Sequence, residues 1–127
     1  MVALPGWQQA AGLPADLVRA AVLISGIYDL APLVGTSIDI PLNLADSEVE
    51  SMSPARATLD GFPRSLVCWG EVETTEVKAQ SREFANGLTQ AGTTCTVREV
   101  PARNHFDVVL DLADPTTDIT RRVLSVL

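Results

Sequence analysis

A single histidine and two cysteines stand among the 127 residues. One imidazole and two widely separated thiols do not build an ordinary zinc site. Nor do two cysteines make the framework of a disulfide-stapled secreted domain. Cys68 and Cys95 both fall inside apparent strands and read as small buried hydrophobes, at home in a reducing cytoplasm. No window of about eighteen apolar residues occurs, so no membrane span is expected. The first residues, Met-Val-Ala-Leu-Pro-Gly-Trp, lack the basic region and apolar core of a secretory signal. A glycine loop of the phosphate-cradling kind is missing too, and neither cofactor nor metal is predicted. Positive charge is scarce: 9 Lys and Arg face 16 Asp and Glu, a net charge of −7. Such a surface repels phosphate backbones, which disfavours nucleic acid as a partner.

Apolar material is plentiful. Hydrophobic residues make up 46% of the chain and mean hydropathy is +0.20, which excludes a disordered tail. The length suits one domain. Residues 5–19 are polar and loop-like, and Trp7, Ala10 and Ala11 fit the end of a helix begun earlier. The unbroken apolar run 20–25, closed by Gly26, predicts a strand covered on both faces, as in parallel sheets. Residues 26–64 form a long irregular insert. It has short elements near Asp29-Leu30 and Pro41-Leu42, and Ser53-Pro54 is placed to cap a turn. Arg64 to Gly70 is a second apolar strand. After the polar loop 71–75, Thr74 or Thr75 caps a helix reaching about Ala91, with Val77, Phe84, Leu88 and Ala91 near one face and Gly92 behind it. Threonines alternate with Cys95 and Val97 across 93–100, which predicts a less buried strand near a sheet edge. A helical turn over 107–112 and a closing helix over 118–127, capped by Asp118, complete the order.

Strands separated by helices imply a parallel sheet of the α/β class. In such sheets functional groups gather beyond the C-terminal strand ends. The loops 26–29, 70–75 and 102–107 lie there. The last holds His105, a candidate general base; the other reading is a loop histidine bonded to Asn104 or Asp107. The middle loop offers Glu71, Glu73 and Glu76. Glu73 is the best placed to orient an imidazole, as the acid of a nucleophile–His–acid triad does; alternatively the loop is a solvated acidic segment favouring the helix start. Asp107 is too near His105 in sequence for good triad geometry. No nucleophile accompanies them: G-x-S-x-G is absent, Ser25 reads as structural, Ser53 as a cap and Ser81 as a helix residue. No H-x-G-G-type oxyanion segment is present.

These residues resemble a known family. Ile24 to Leu30 (Ile-Ser-Gly-Ile-Tyr-Asp-Leu), Ser53-Pro54, then Gly70, Glu73, Glu76, Gln80, Ser81 and Phe84, and finally Asn104-His105-Phe106-Asp107, are similar to the C-terminal half of α/β-hydrolases of the kynurenine formamidase (arylformamidase) and carboxylesterase type. The resemblance implies a partial α/β-hydrolase fold, with C-terminal parallel strands, flanking helices and no nucleophile elbow. It implies that His105 is the triad histidine and Glu73 the triad acid, a position commonly held by aspartate. Thr74 to Val77 depart from the family's usual Ser-Pro-Glu-Phe. Tyr28 and Asp29 lie where the family's pocket begins, as candidate substrate-binding residues or as core and turn residues. Residues 7–16 look like the stretch just beyond the helix that follows the family's serine, so Met1 is expected to fall inside that helix. The substrate implied is a small ester or amide. The first strand, beside an absent neighbour, is expected to pair with a second copy or with the missing N-terminal half.

Overall fold

A computed structural model of the chain describes residues 3–126. Three parallel strands, β1 (Ala20–Ile24), β2 (Arg64–Gly70) and β3 (Cys95–Val100), form one sheet in the order β1-β2-β3. Ala20 pairs with Arg64 and Ile24 with Cys68; Ser65 pairs with Cys95 and Gly70 with Val100. The helices are α1 (Trp7–Ala10), α2 (Asp39–Leu42), α3 (Asp46–Met52), α4 (Thr75–Gln90) and α5 (Asp118–Val126). Among the described residues α1 starts at Trp7, after Gly6 at φ 99°. The expectation for Met1 and the final residue of the 118–127 helix lie outside the described residues.

β2 shows why its sequence does not alternate. Every residue from Ser65 to Gly70 is buried, because both faces of the strand are covered. Val67 and Trp69 pack with Phe84, Ala85 and Leu88 of α4, together with Tyr28 and Phe62. Leu66 and Cys68 pack on the other side with Val100, Val108 and Ile119, the last from α5. Fully burying one such aliphatic side chain stabilises by about 1.5–3 kcal/mol, so β2 is the spine of the molecule.

β1 is covered on both faces, Ala21 and Leu23 packing with the α4-side core and Val22 and Ile24 with the α5-side core. Only Ala21 is fully buried, because among the described residues nothing pairs with the outer edge of the strand. β3 begins at Cys95 rather than Thr93: Thr93 is buried, with its hydroxyl donating to the Phe62 carbonyl at 3.2 Å. Cys95 is half-buried against the α4 core, not fully buried. The charges on this edge strand reach both helical layers. Arg98 meets Asp118 of α5 at 2.7 Å, and Glu99 accepts from Trp69 Nε1 at 2.7 Å and from Arg82 of α4 at 2.8 Å.

α4 is capped as its sequence implies, the Val77 N–H reaching Thr74 Oγ1 at 3.4 Å, and its buried face carries Ser81, Phe84, Ala85 and Leu88. Two capping expectations are corrected. Asp118 is the first residue of α5, and Thr117 caps it by accepting from the Thr120 N–H at 3.3 Å; the Asp118 carboxylate serves Arg98 and Arg122 instead. Ser53 does precede the short 3-10 turn Pro54–Arg56, but its hydroxyl makes no cap bond. It accepts from the Leu30 N–H at 2.9 Å and donates to the Val49 carbonyl at 2.6 Å, tying α3 to the start of the insert. The turn expected over 107–112 is a 3-10 segment at Leu110–Ala113.

Candidate functional site

The C-terminal ends of the strands bring the three loops together. The 71–74 and 101–107 loops are joined by main chain: Glu71 N–H donates to the Val100 carbonyl and Val72 N–H to the Arg103 carbonyl, both at 2.9 Å. Glu71 is used as a brace, its carboxylate accepting from the Ala102 N–H at 2.8 Å, where Ala102 sits at φ 55°. Gly70 is where the two loops approach most closely. A Cβ there would lie 2.1 Å from the Arg103 carbonyl oxygen, so only glycine permits the contact.

That junction places Glu73 beside His105. Glu73 Oε2 lies 3.1 Å from His105 Nδ1; the carboxylate side chain is 1% exposed and the imidazole 51% exposed. The other carboxylate oxygen accepts twice, from the Gly70 N–H at 2.7 Å and from the Ser25 hydroxyl. Burial pushes the Glu73 carboxyl up, but the Ser25 hydroxyl, the Gly70 N–H and His105 together outweigh it and hold it below its ordinary value, so the group is a carboxylate at neutral pH. His105 is therefore bonded neither to Asn104 nor to Asp107. Those two shape its loop: the Asn104 side chain accepts from the Phe106 and Asp107 N–H groups, and Asp107 accepts from the Asn104 N–H. Val108, wholly buried behind them, anchors the loop in the core.

Ser25 ends β1 and extends its ladder by one bond, its N–H donating to the Cys68 carbonyl at 2.8 Å. Its φ is 50°, a left-handed conformation that costs a non-glycine residue roughly 1–2 kcal/mol.

Tyr28 and Asp29, candidates for binding substrate, are placed in framework positions. The Tyr28 ring is buried and stacked on Phe84, centroids 4.2 Å apart. The Asp29 carboxylate accepts from the Ala31 N–H at 2.9 Å and meets Arg56 at 3.2 Å. Both main-chain N–H groups donate to Gln80 Oε1, at 2.8 and 2.9 Å, while Gln80 Nε2 returns a bond to the Asp29 carbonyl. One α4 side chain thus clamps the insert to the helix. Tyr28 and Asp29 border a recess of about 220 Å³ with Gln80 and Phe84. A second recess, about 290 Å³, lies between the insert and the start of α4 and is lined by Ile27, Leu33, Ile38, Thr74 and Val77.

Neither thiol offers a nucleophile. Burial, with Glu73 adding to it, pushes the Cys68 thiol up to about 12, and burial raises Cys95 too, so both stay protonated at neutral pH. The Ser25 hydroxyl donates its hydrogen bond to the Glu73 carboxylate and not to His105. No group of three or more His, Cys, Asp or Glu able to hold a metal ion occurs among the described residues. Among them, no helix is long and apolar enough to cross a membrane.

A three-stranded parallel sheet with flanking helices, and loops gathered at its C-terminal ends, is part of an α/β-hydrolase-like fold. No family model matches the chain. Among curated proteins it is similar to kynurenine formamidase of Danio rerio, 27% identical over 115 residues that span 87% of this chain and 39% of the relative. It is also similar to kynurenine formamidase of Salmo salar, 26% identical, spanning 100% of this chain and 45% of the relative. Among solved structures, a provisionally assigned thioesterase of Silicibacter sp. superposes with TM-score 0.68 at 25% identity, covering 81% of this chain and 37% of that one. The carboxylesterase EstE1 from a metagenomic library superposes with TM-score 0.62 at 19% identity, covering 93% and 45%, and shows the fold alone. The chain is distantly homologous to kynurenine formamidases, and spans less than half the length of these relatives.

Proposed function

We propose that the chain is the C-terminal part of a serine hydrolase for carboxylic esters or aryl formamides, supplying the acid, Glu73, and the base, His105. The observation carrying this reading is the 3.1 Å contact between a buried carboxylate and Nδ1 of the sole histidine. A carboxylate on Nδ1 selects the tautomer protonated there, which leaves Nε2 as the proton acceptor. In the mechanism, a serine hydroxyl gives its proton to His105 Nε2 as it attacks the carbonyl, and an acyl-enzyme forms. His105 returns that proton to the leaving alcohol or amine, then activates water to release the acid. Glu73 stays ionised throughout and stabilises the imidazolium. The serine of this mechanism is not Ser25, whose hydroxyl is engaged by Glu73, and is assigned to a nucleophile-bearing half of the hydrolase. The mostly apolar recess lined by Ile27, Leu33, Ile38 and Val77, with Thr74 at its border, is the part of this chain suited to the apolar portion of the substrate.

The outer edge of β1, unpaired among the described residues, supports a second, compatible reading, in which the chain associates through that edge with a nucleophile-bearing half or with a second copy. The test is turnover of p-nitrophenyl acetate and of an aryl formamide, with fluorophosphonate labelling. The chain alone is expected to show neither labelling nor His105-dependent turnover. Addition of a nucleophile-bearing half is expected to restore both, and His105→Ala and Glu73→Gln to remove turnover. Restored turnover that survives both substitutions would refute the reading.

A further inference from the structure

We infer that Ser25 is a positioning residue, whose hydroxyl holds the Glu73 carboxylate in the orientation that keeps His105 in its Nδ1–H tautomer. This rests on the reading of Glu73 and His105 as an acid–base pair. A glutamate has one more rotatable bond than an aspartate, so a carboxylate on that longer arm must be held at more than one point to present a constant edge to the imidazole. Here the two oxygens are divided. Oε1 takes the Gly70 N–H from the glutamate's own loop and the Ser25 hydroxyl from the neighbouring strand, which leaves Oε2 for His105 Nδ1. The Ser25 bond spans 48 positions of sequence, so it couples β1 to the acid directly.

The backbone argues the same way. At φ 50° glycine is the residue with least strain, and asparagine the usual second choice. Serine there is explained by what its side chain does, and that side chain is buried on the carboxylate. A nucleophilic serine needs its hydroxyl on the base; this one is on the acid.

The experiment uses the lone histidine as its own probe. Ring nitrogens of ¹⁵N-histidine-labelled chain are observed at about pH 8.5, where an ordinary imidazole is neutral and the two tautomers are distinguishable. Wild type is expected to be mainly Nδ1–H, whereas free histidine favours Nε2–H. Ser25→Gly removes the hydroxyl and relieves the backbone at once. It is expected to keep the wild-type amide spectrum outside these loops while lowering the Nδ1–H to Nε2–H ratio by about threefold to tenfold, the effect of one net hydrogen bond. Ser25→Ala is expected to give the same ratio. A Ser25→Gly chain with the wild-type ratio overturns the inference, as does one whose amide dispersion collapses, because Ser25 would then be a folding residue. Glu73→Gln separates the two claims. If it leaves the ratio unchanged, the acid–base pairing itself fails; if it shifts the ratio and Ser25→Gly does not, only the role of Ser25 falls.

Discussion

Gly70→Ala tests how the fold builds the site. The added methyl would sit 2.1 Å from the Arg103 carbonyl oxygen, 2.6 Å from its carbon and 3.1 Å from the Asn104 oxygen. Ordinary contact begins at 3.4 Å, so the end of β2 and the 101–107 loop must separate locally by 3.4 − 2.1 = 1.3 Å. All three obstacles are backbone, and no rotamer change relieves them. Overpacking of this kind costs about 1–3 kcal/mol. Stretching the Val72–Arg103 bond adds about 1 kcal/mol, for a total loss of about 2–4 kcal/mol out of the roughly 5–15 kcal/mol of a typical domain. Urea unfolding followed by tryptophan fluorescence measures it. Gly87→Ala is the matched control: its methyl meets only the end of the Leu59 side chain, at 3.3 Å, inside α4, where alanine is favoured by up to about 1 kcal/mol. The two glycines should therefore move the midpoint in opposite directions. A Gly70→Ala loss below about 0.5 kcal/mol would refute the close-approach argument, since surface substitutions fall in that range.

Three further outcomes follow from named contacts. Gln80→Ala strands the Tyr28 and Asp29 N–H groups and should cost about 2 kcal/mol, with hydrogen exchange at those two amides accelerating. Glu73 and Asp118 are both held below their ordinary values of 4.5 and 3.8. For Asp118 the first cause is the Arg122 hydrogen bond, opposed by burial and aided by Arg98. The unfolded chain therefore takes up protons first as the medium acidifies. Their stabilisation is complete above the ordinary values and is lost as pH falls toward the depressed folded ones. Urea midpoints should fall with pH below about 4.5, and less so in Glu73→Gln. Cys68, buried and pushed up to about 12, should resist thiol reagents in the native chain and react promptly in urea.

Much of the architecture was readable because it is written in local chemistry. The apolar run of β2 and the capped periodic pattern of α4 each carry their own signal. The histidine loop was legible as a place, since loops at strand C-termini collect there. What was not legible depends on contacts distant in sequence. Nothing local says that Ser25 meets Glu73 or that Gln80 holds the insert, although both serine and glutamine stood within the segments that resemble the hydrolase family. α3 carries no readable signal, because seven residues with one buried valine leave almost no period to detect. Likeness to the family leaves Tyr28 and Asp29 open between pocket and core or turn roles; the Tyr28 ring stacks on Phe84 and the Asp29 carboxylate meets Arg56, while both residues border a recess. β1 reads as a doubly covered strand by composition and packs on both faces; what composition does not show is that, among the described residues, one of its edges has no partner strand.

A double-mutant cycle reads the Glu73–His105 pair directly. Unfolding free energies of wild type, Glu73→Gln, His105→Gln and the double variant, measured at neutral pH, give the coupling between positions 73 and 105. The imidazole is half exposed, which discounts the interaction, so the expected coupling is about 1 kcal/mol. Additive losses, with coupling within about 0.3 kcal/mol of zero, would contradict the pairing and with it the proposed acid and base.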